Sequence, residues 1–316
     1  MRLFLMAMMF LGVALAAEPV SLETQTGTLY GTLELPESET PMPIVLIHPG
    51  SGPTDRDGNS PQLPGKNDSL KLLAQNLAEN GVASVRIDKR GIGESASALT
   101  SEADLSFDTY IEDAAAWLEL LQNDERFGSV IMLGHSEGSL IGMVAAERVG
   151  ADAYISVAGA GENAADTIKR QLSEQLPENL LAETDSVLDS LSTGETVTPL
   201  PENIGAIPGI SSLFRPSVQP YLISWFQYEP AEEITELDMP VLIVQGSTDI
   251  QTTVEDAETL SAAKPDAELV VIDGMNHVFK DAPADPEANL ATYSDPSLPL
   301  TDGLLETLLS FVEGVE

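Results

Sequence analysis

The chain has three histidines and no cysteine among its 316 residues, so few side chains could perform covalent or acid–base chemistry, and thiol nucleophiles, zinc-thiolate sites and iron–sulfur clusters are excluded. One serine stands out by its surroundings. In "VIMLGHSEGSLIGM", residues 130–143, an apolar run gives way to Gly-His-Ser-Glu-Gly and an apolar helical pattern begins at once. A serine hydroxyl is a weak nucleophile until a base takes its proton, so it must project where base and substrate can both reach it. A sharp strand-to-helix turn achieves this, and its crowding requires Gly134 and Gly138 to lack side chains. Ser136 is therefore the candidate nucleophile, at the C-terminal end of a central strand where open α/β sheets bind ligands. The following helix aims its free N–H groups and positive dipole end at the same spot, which makes the Glu137 N–H a candidate oxyanion donor.

The base must come from the histidines. His135 sits on the elbow itself and is expected to point elsewhere, and His48 precedes the loop after an early strand. His277, in "IDGMNHVF", follows the last apolar strand in a loop able to fold back over the sheet edge, so it is the candidate general base and later acid. The acid that orients it should lie between serine and histidine in the chain. Asp249, in "VLIVQGSTDIQ", ends a buried strand and is preferred over its competitor Asp273, whereas Glu255, Asp256 and Glu258 read as a solvated helix face. A second oxyanion donor is expected from "HPGSGPTDRDGNS", with the N–H of Ser51 favoured and Gly50 and Gly52 as rivals. Asp55, Asp57 and Asn59 lack the later ligands and terminal glutamate of a calcium loop, so no metal is expected. Arg56, Asp57 and Arg90 are expected to form an ion network beneath the site. No cofactor is required by this chemistry.

These residues need a scaffold. "VSLETQTGTLYGTLEL" alternates as a hairpin with one solvated face would, and "PIVLIHPG", "GVASVRID", "FGSVIMLG", "AYISVAGAG", "MPVLIVQGSTD" and "AELVVIDGMNH" read as buried strands. Helical stretches separate them, one with Leu70, Leu73, Ala74 and Leu77 on one face, another with Ile111, Ala114, Ala115, Leu118 and Leu121, and "LLETLLSFVEG" closes the chain. The alternation predicts an α/β fold with a mostly parallel central sheet and helices on both faces. From 161 to 238 the strand pattern gives way to proline-broken helical pieces. Residues 17–160 and 239–316 are thus expected to form the core and 161–238 a helical cap. The aromatics Phe214, Tyr221, Trp225, Phe226 and Tyr228 in that insertion either line a pocket or pack the cap onto the core.

Composition narrows the class further. Fifty-one acidic residues against fourteen basic ones give a formal charge of -37, which repels phosphate backbones and anionic lipid and excludes nucleic acid as a partner. The N-terminal "MRLFLMAMMFLGVALA" combines Arg2, an apolar stretch and a small-x-small end, and reads as a signal peptide over residues 1–16 cleaved after Ala16. A secreted or periplasmic location, without stable membrane insertion, is the expectation.

The elbow Gly134-His135-Ser136-Glu137-Gly138, the segment "RIDKRGIGES", Asp249 and His277 stand in the order of the serine α/β-hydrolase superfamily, which the chain resembles over residues 27–313. More narrowly, "GSGPTDRDGN", "LFRPSVQPYLISWF" and "GSTDIQ" are similar to bacterial hydrolases described as carboxylesterase-like or serine aminopeptidase-like. The resemblance implies the α/β-hydrolase fold and acyl transfer to water through an acyl-enzyme. His48-Pro49-Gly50 replaces the usual His-Gly after the third strand, which leaves the second oxyanion donor open. A serine in the elbow argues against dehalogenase or epoxide hydrolase chemistry, where the resemblance implies an aspartate. The expected activity is cleavage of neutral, short to medium-chain carboxylic esters. A peptidase or amidase on the same triad is the alternative, and a non-catalytic binding protein on the scaffold is the alternative of another class.

Overall fold

The computed structural model describes residues 16–173 and 176–315. The segment read as a signal peptide lies, up to residue 15, outside the described residues. The strands are β1 (Ala16–Thr24), β2 (Gly27–Leu35), β3 (Met42–His48), β4 (Ala83–Ile87), β5 (Phe127–His135), β6 (Ala153–Val157), β7 (Val241–Gly246) and β8 (Glu268–Ile272). The helices of the sheet layers are α1 (Ser69–Glu79), α2 (Phe107–Gln122) and α3 (Glu137–Val149). Between β6 and β7 come α4 (Ala164–Ser173), α5 (Glu178–Ser192), α6 (Glu202–Gly205), α7 (Pro208–Leu213), α8 (Gln219–Trp225) and α9 (Pro230–Glu233). The chain closes with α10 (Val254–Ala263), α11 (Pro286–Ala291) and α12 (Leu304–Glu313).

The strands form one sheet in the order β1-β2-β4-β3-β5-β6-β7-β8. β1 pairs antiparallel with β2 and β2 with β4, and every later pairing is parallel. The continuous apolar runs of the central strands follow from burial on both faces. Side chains alternate across the pleat, so Ile44, Leu46, Val130, Met132 and Ile243 enter one apolar layer with α2 and α3. Val45, Ile47, Ile131, Leu133, Leu242 and Val244 enter the other, with α1 and α12. Each such side chain contributes about 1.5–3 kcal/mol relative to exposure.

Local chemistry sets the helix starts. Ser106 caps α2, its hydroxyl accepting from the Thr109 N–H at 3.2 Å, and Thr253 and Asp256 form the same reciprocal box at α10. Two sequence expectations need correction. β8, read as a buried strand, is the sheet's outer edge and pairs only with β7; its Val271 is 43% exposed. Asp256, read as part of a solvated face, is buried: it accepts from the Gly161 N–H at 3.0 Å and from Arg170 Nη2 at 2.8 Å. Its neighbours Glu255 and Glu258 are exposed. A helix periodicity cannot foresee an arginine arriving from α4.

Part of the segment between β6 and β7 packs on α2 through an aromatic cluster. Phe107 of α2 stacks on Trp225 at 5.7 Å with an interplanar angle of 8°, and Tyr221 meets Tyr110 edge-on at 5.7 Å. Asn163 donates to the Phe226 and Tyr228 carbonyls and to Glu229. The Phe107 N–H donates to Ser224 Oγ at 2.8 Å.

Candidate active site

β5 runs into α3 without a loop, and the junction is Ser136, whose φ of 56° and ψ of -124° place a non-glycine residue in a strained region. The turn holds because the Ser136 N–H donates to the Val157 carbonyl of β6 at 3.0 Å. A Cβ on Gly134 would lie 2.1 Å from the Gly138 carbonyl oxygen, and one on Gly138 would lie 2.6 Å from the His48 and Pro49 carbonyl oxygens. Both glycines are therefore steric requirements of the turn. Of residues 129–146, Ser136 alone is not buried. The turn has pushed one hydroxyl out of an otherwise closed layer.

Asp249 and His277 arrive from the loops after β7 and β8. His277 Nδ1 lies 2.8 Å from Asp249 Oδ2; a carboxylate only accepts, so Nδ1 carries a proton, and a neutral imidazole held this way has its lone pair on Nε2. Asp249 Oδ1 accepts from the N–H groups of Gln251 at 2.7 Å and Thr252 at 3.1 Å, and Oδ2 also accepts from Thr252 Oγ1 at 3.0 Å. Burial pushes this carboxyl up, but His277 and the two backbone donors outweigh it and hold it below the usual carboxylate range. The competitor Asp273 is exposed and accepts from Ser247 instead.

His135 does turn away from the cavity, but it has a part the sequence reading missed. Its Nε2 donates to the His277 carbonyl at 2.9 Å and its ring centroid lies 4.7 Å from that of His277. Burial, with His277 beside it, lowers its pKa to about 3, and burial with Lys89 nearby lowers that of His48 to about 3. Both rings are neutral near pH 7. Asn276 braces the same loop, accepting from the N–H groups of Val278 and Lys280 and donating to Asn289 and Thr292. "DGMNH" contains this asparagine, yet its partners arise beyond the histidine and have no local signal.

Ser51, Ser136 and Glu137 line one cavity of about 580 Å³, while His277, 5% exposed, lies outside the lining. The loop after β3 abuts the elbow: a Cβ on Gly50 would stand 3.1 Å from Ser136 Cβ. The N–H groups of Ser51 and Glu137 have no hydrogen-bond partner among the described residues. Of the five insertion aromatics, Tyr221 and Trp225 line the cavity; Phe214 and Phe226 are buried in packing, and Tyr228 donates to Asp108 at 2.6 Å. The expected Arg56–Asp57–Arg90 network resolves into separate pairs: Arg56 binds Asp88 and Glu94, Asp57 binds Arg86, and Arg90 binds Asp113.

Solved structures share this arrangement of elements. The chain superposes with a TM-score of 0.57 on Est1E from Butyrivibrio proteoclasticus with ferulic acid bound, covering 94% of this chain and 96% of that one at 19% identity. With the α/β hydrolase GrgF from Penicillium sp. sh18 the TM-score is 0.59 at 18% identity, over 95% and 98% of the two chains. The fold is the α/β-hydrolase fold. Within this α/β-hydrolase fold, residues 67–192 match the family model described as "Serine aminopeptidase, S33". Esterase EstD of Thermotoga maritima is 28% identical over 274 residues, which cover 83% of this chain and 61% of that protein. The chain thus spans about three fifths of that curated relative's length.

Proposed function

We propose that this α/β-hydrolase is a serine carboxylesterase working through an acyl-enzyme. Ser136 Oγ attacks the ester carbonyl carbon while His277 Nε2 takes its proton, and Asp249 holds the imidazole through Nδ1 and stabilises its charged form. The oxyanion of the tetrahedral intermediate binds the N–H groups of Glu137 and Ser51. His277 then protonates the leaving alcohol, and water repeats the sequence to release the acid. The observation that carries this reading is the 2.8 Å bond between His277 and Asp249, with His277 resting on His135, the residue before a serine held at φ 56° in a cavity wall. The name of the Thermotoga relative points the same way.

A cavity of about 580 Å³ lies within the range that encloses drug-sized ligands, roughly 300–1,000 Å³. Leu99, Leu105, Leu140, Ile168, Leu172 and Trp225 give it apolar walls. Its cations Lys89, Arg90 and Arg215 are paired with Glu137, Asp113 and Glu102, so among the described residues no free cation of the lining invites an anionic substrate. Neutral esters of short to medium acyl chain are the substrate class we assign. An amidase reading finds support in the matched family's description and uses the same three residues.

The test is p-nitrophenol release from acetate, butyrate, octanoate and palmitate esters by wild type and Ser136→Ala, beside a matched p-nitroanilide. We expect short and medium esters to be favoured and Ser136→Ala to lose about 10⁴-fold or more in kcat, because such groups act as a unit. Near-wild-type turnover in Ser136→Ala overturns the assignment, and anilide cleavage with weak ester turnover moves it to the amidase.

A further inference from the structure

Lys89 follows β4 within "RIDKRGIGES", and the reaction described above gives it no part. Its side chain is 1% exposed. Burying an ammonium group is unfavourable unless charge and hydrogen bonds compensate it, and its partners here converge on one place. Nζ donates to the Gly50 carbonyl at 2.5 Å, lies 3.4 Å from Glu137 Oε2, and sits 5.2 Å above the Tyr110 ring. Tyr221 Oη of α8 donates to the other Glu137 oxygen at 2.5 Å, so the acceptor of the lysine is itself clamped from the insertion. The pair links the loop after β3 to the first residue of α3.

A peptide unit is planar and trans, so its carbonyl and the next N–H point in opposite directions. Holding the Gly50 oxygen on Lys89 therefore turns the Ser51 N–H away from the lysine and fixes its direction. Gly50, on one side of that peptide, imposes little conformational preference of its own, and the Ser51 N–H has no partner among the described residues. Catalysis by an oxyanion donor depends on its being aimed before charge develops.

We propose that Lys89 is a positioning residue for the oxyanion hole: its simultaneous grip on the Gly50 carbonyl and the Glu137 carboxylate sets the direction of the Ser51 N–H beside the Glu137 N–H. This rests on the acyl-transfer reading of the site. It also selects Ser51 over Gly50 and Gly52 as the second donor, since the Ser51 N–H is the one whose peptide plane the lysine holds. Burial lowers the Lys89 pKa and Glu137 opposes that shift, in keeping with the pair's mutual dependence.

The experiment compares an oxo-ester with its thiono-ester, whose sulfur accepts hydrogen bonds poorly, in wild type, Lys89→Met and the double variant Lys89→Met/Glu137→Gln. The double variant removes both charges, so it keeps the measurement open if the single one folds badly. We expect kcat for the oxo-ester to fall about 10- to 100-fold, below the 10² to 10³ for deleting a donor outright. KM should stay within about threefold, because the donors act on charge that develops after binding, and thiono-ester kcat should fall far less, because its sulfur gains little from them. A folded variant that loses both substrates equally, or neither, overturns the inference. Wild type that neither turns over esters nor labels at Ser136 with a fluorophosphonate overturns the inference together with the reading beneath it.

Discussion

Asp249 divides its work between its two oxygens: Oδ1 takes the backbone donors of Gln251 and Thr252, and Oδ2 takes His277. Asp249→Asn preserves size and can keep the backbone bonds on its carbonyl oxygen, which leaves its NH₂ facing His277. That group only donates, so the imidazole must turn its lone pair to Nδ1 and carry its proton on Nε2, where it cannot accept one from Ser136. We expect kcat to fall about 10³- to 10⁴-fold, on the scale seen when a histidine is held in the wrong tautomer, with only a small change in thermal midpoint. Ester kinetics and a melting curve on the same sample check this. A loss of activity that merely tracks unfolding would contradict it.

The elbow is a property of an element junction. β5 enters α3 at a backbone angle that only close approach of Gly134 to Gly138 permits. Gly134→Ala sets a Cβ against a carbonyl that cannot move without shifting the helix start, and we expect a loss of roughly 3 kcal/mol in urea unfolding, at the upper end of ordinary overpacking. The same change at Gly209 meets nothing within 4 Å, and that variant should unfold within about 1 kcal/mol of wild type. Equal effects at the two positions would mean that the junction is looser than its geometry. The insertion elements are tied down by polar contacts that end on the elbow and on α10, notably Tyr221 to Glu137 and Arg170 to Asp256. The cavity walls and the elbow are therefore mechanically connected.

For the whole molecule, the buried His48 and His135 tie stability to pH. His48 and His135 fold with pKa values of about 3 against 6.5 for the free ring, so between those values the unfolded chain binds protons that the folded chain refuses. Stability is then lost as pH falls through that window, by roughly 1 kcal/mol per pH unit for each ring. His48→Asn removes one ring from the balance. We expect the slope of unfolding free energy against pH between about 4.5 and 6 to be shallower in that variant by about 1 kcal/mol per unit, measured by urea titration. Indistinguishable slopes would show that His48 is charged in the fold. The formal charge of -37 acts on both proteins alike and cancels in the difference.

Much of this was legible before any coordinates, for reasons that differ by residue. Ser136 was readable because the turn it needs demands two glycines at set offsets, and the sheet because buried strands must be continuously apolar. Asp249 and His277 could be proposed from their places after apolar runs, but their meeting at 2.8 Å depends on β7 and β8 lying side by side, a matter of topology. Asp256 and Asp273 mark the limit: local pattern called one solvated and kept the other in contention, and long-range packing decided both. The partners of Lys89, Tyr221, Asn276 and His135 had no local signal, because a buried polar group is defined by partners that lie far along the chain. Sequence by itself determined where the strand-to-helix elbow and its serine had to be and what kind of sheet would present them. Only the tertiary structure decided which charges are paired, which loop N–H groups have no partner among the described residues, and what holds those loops in place, because those are properties of distances between residues and not of their order.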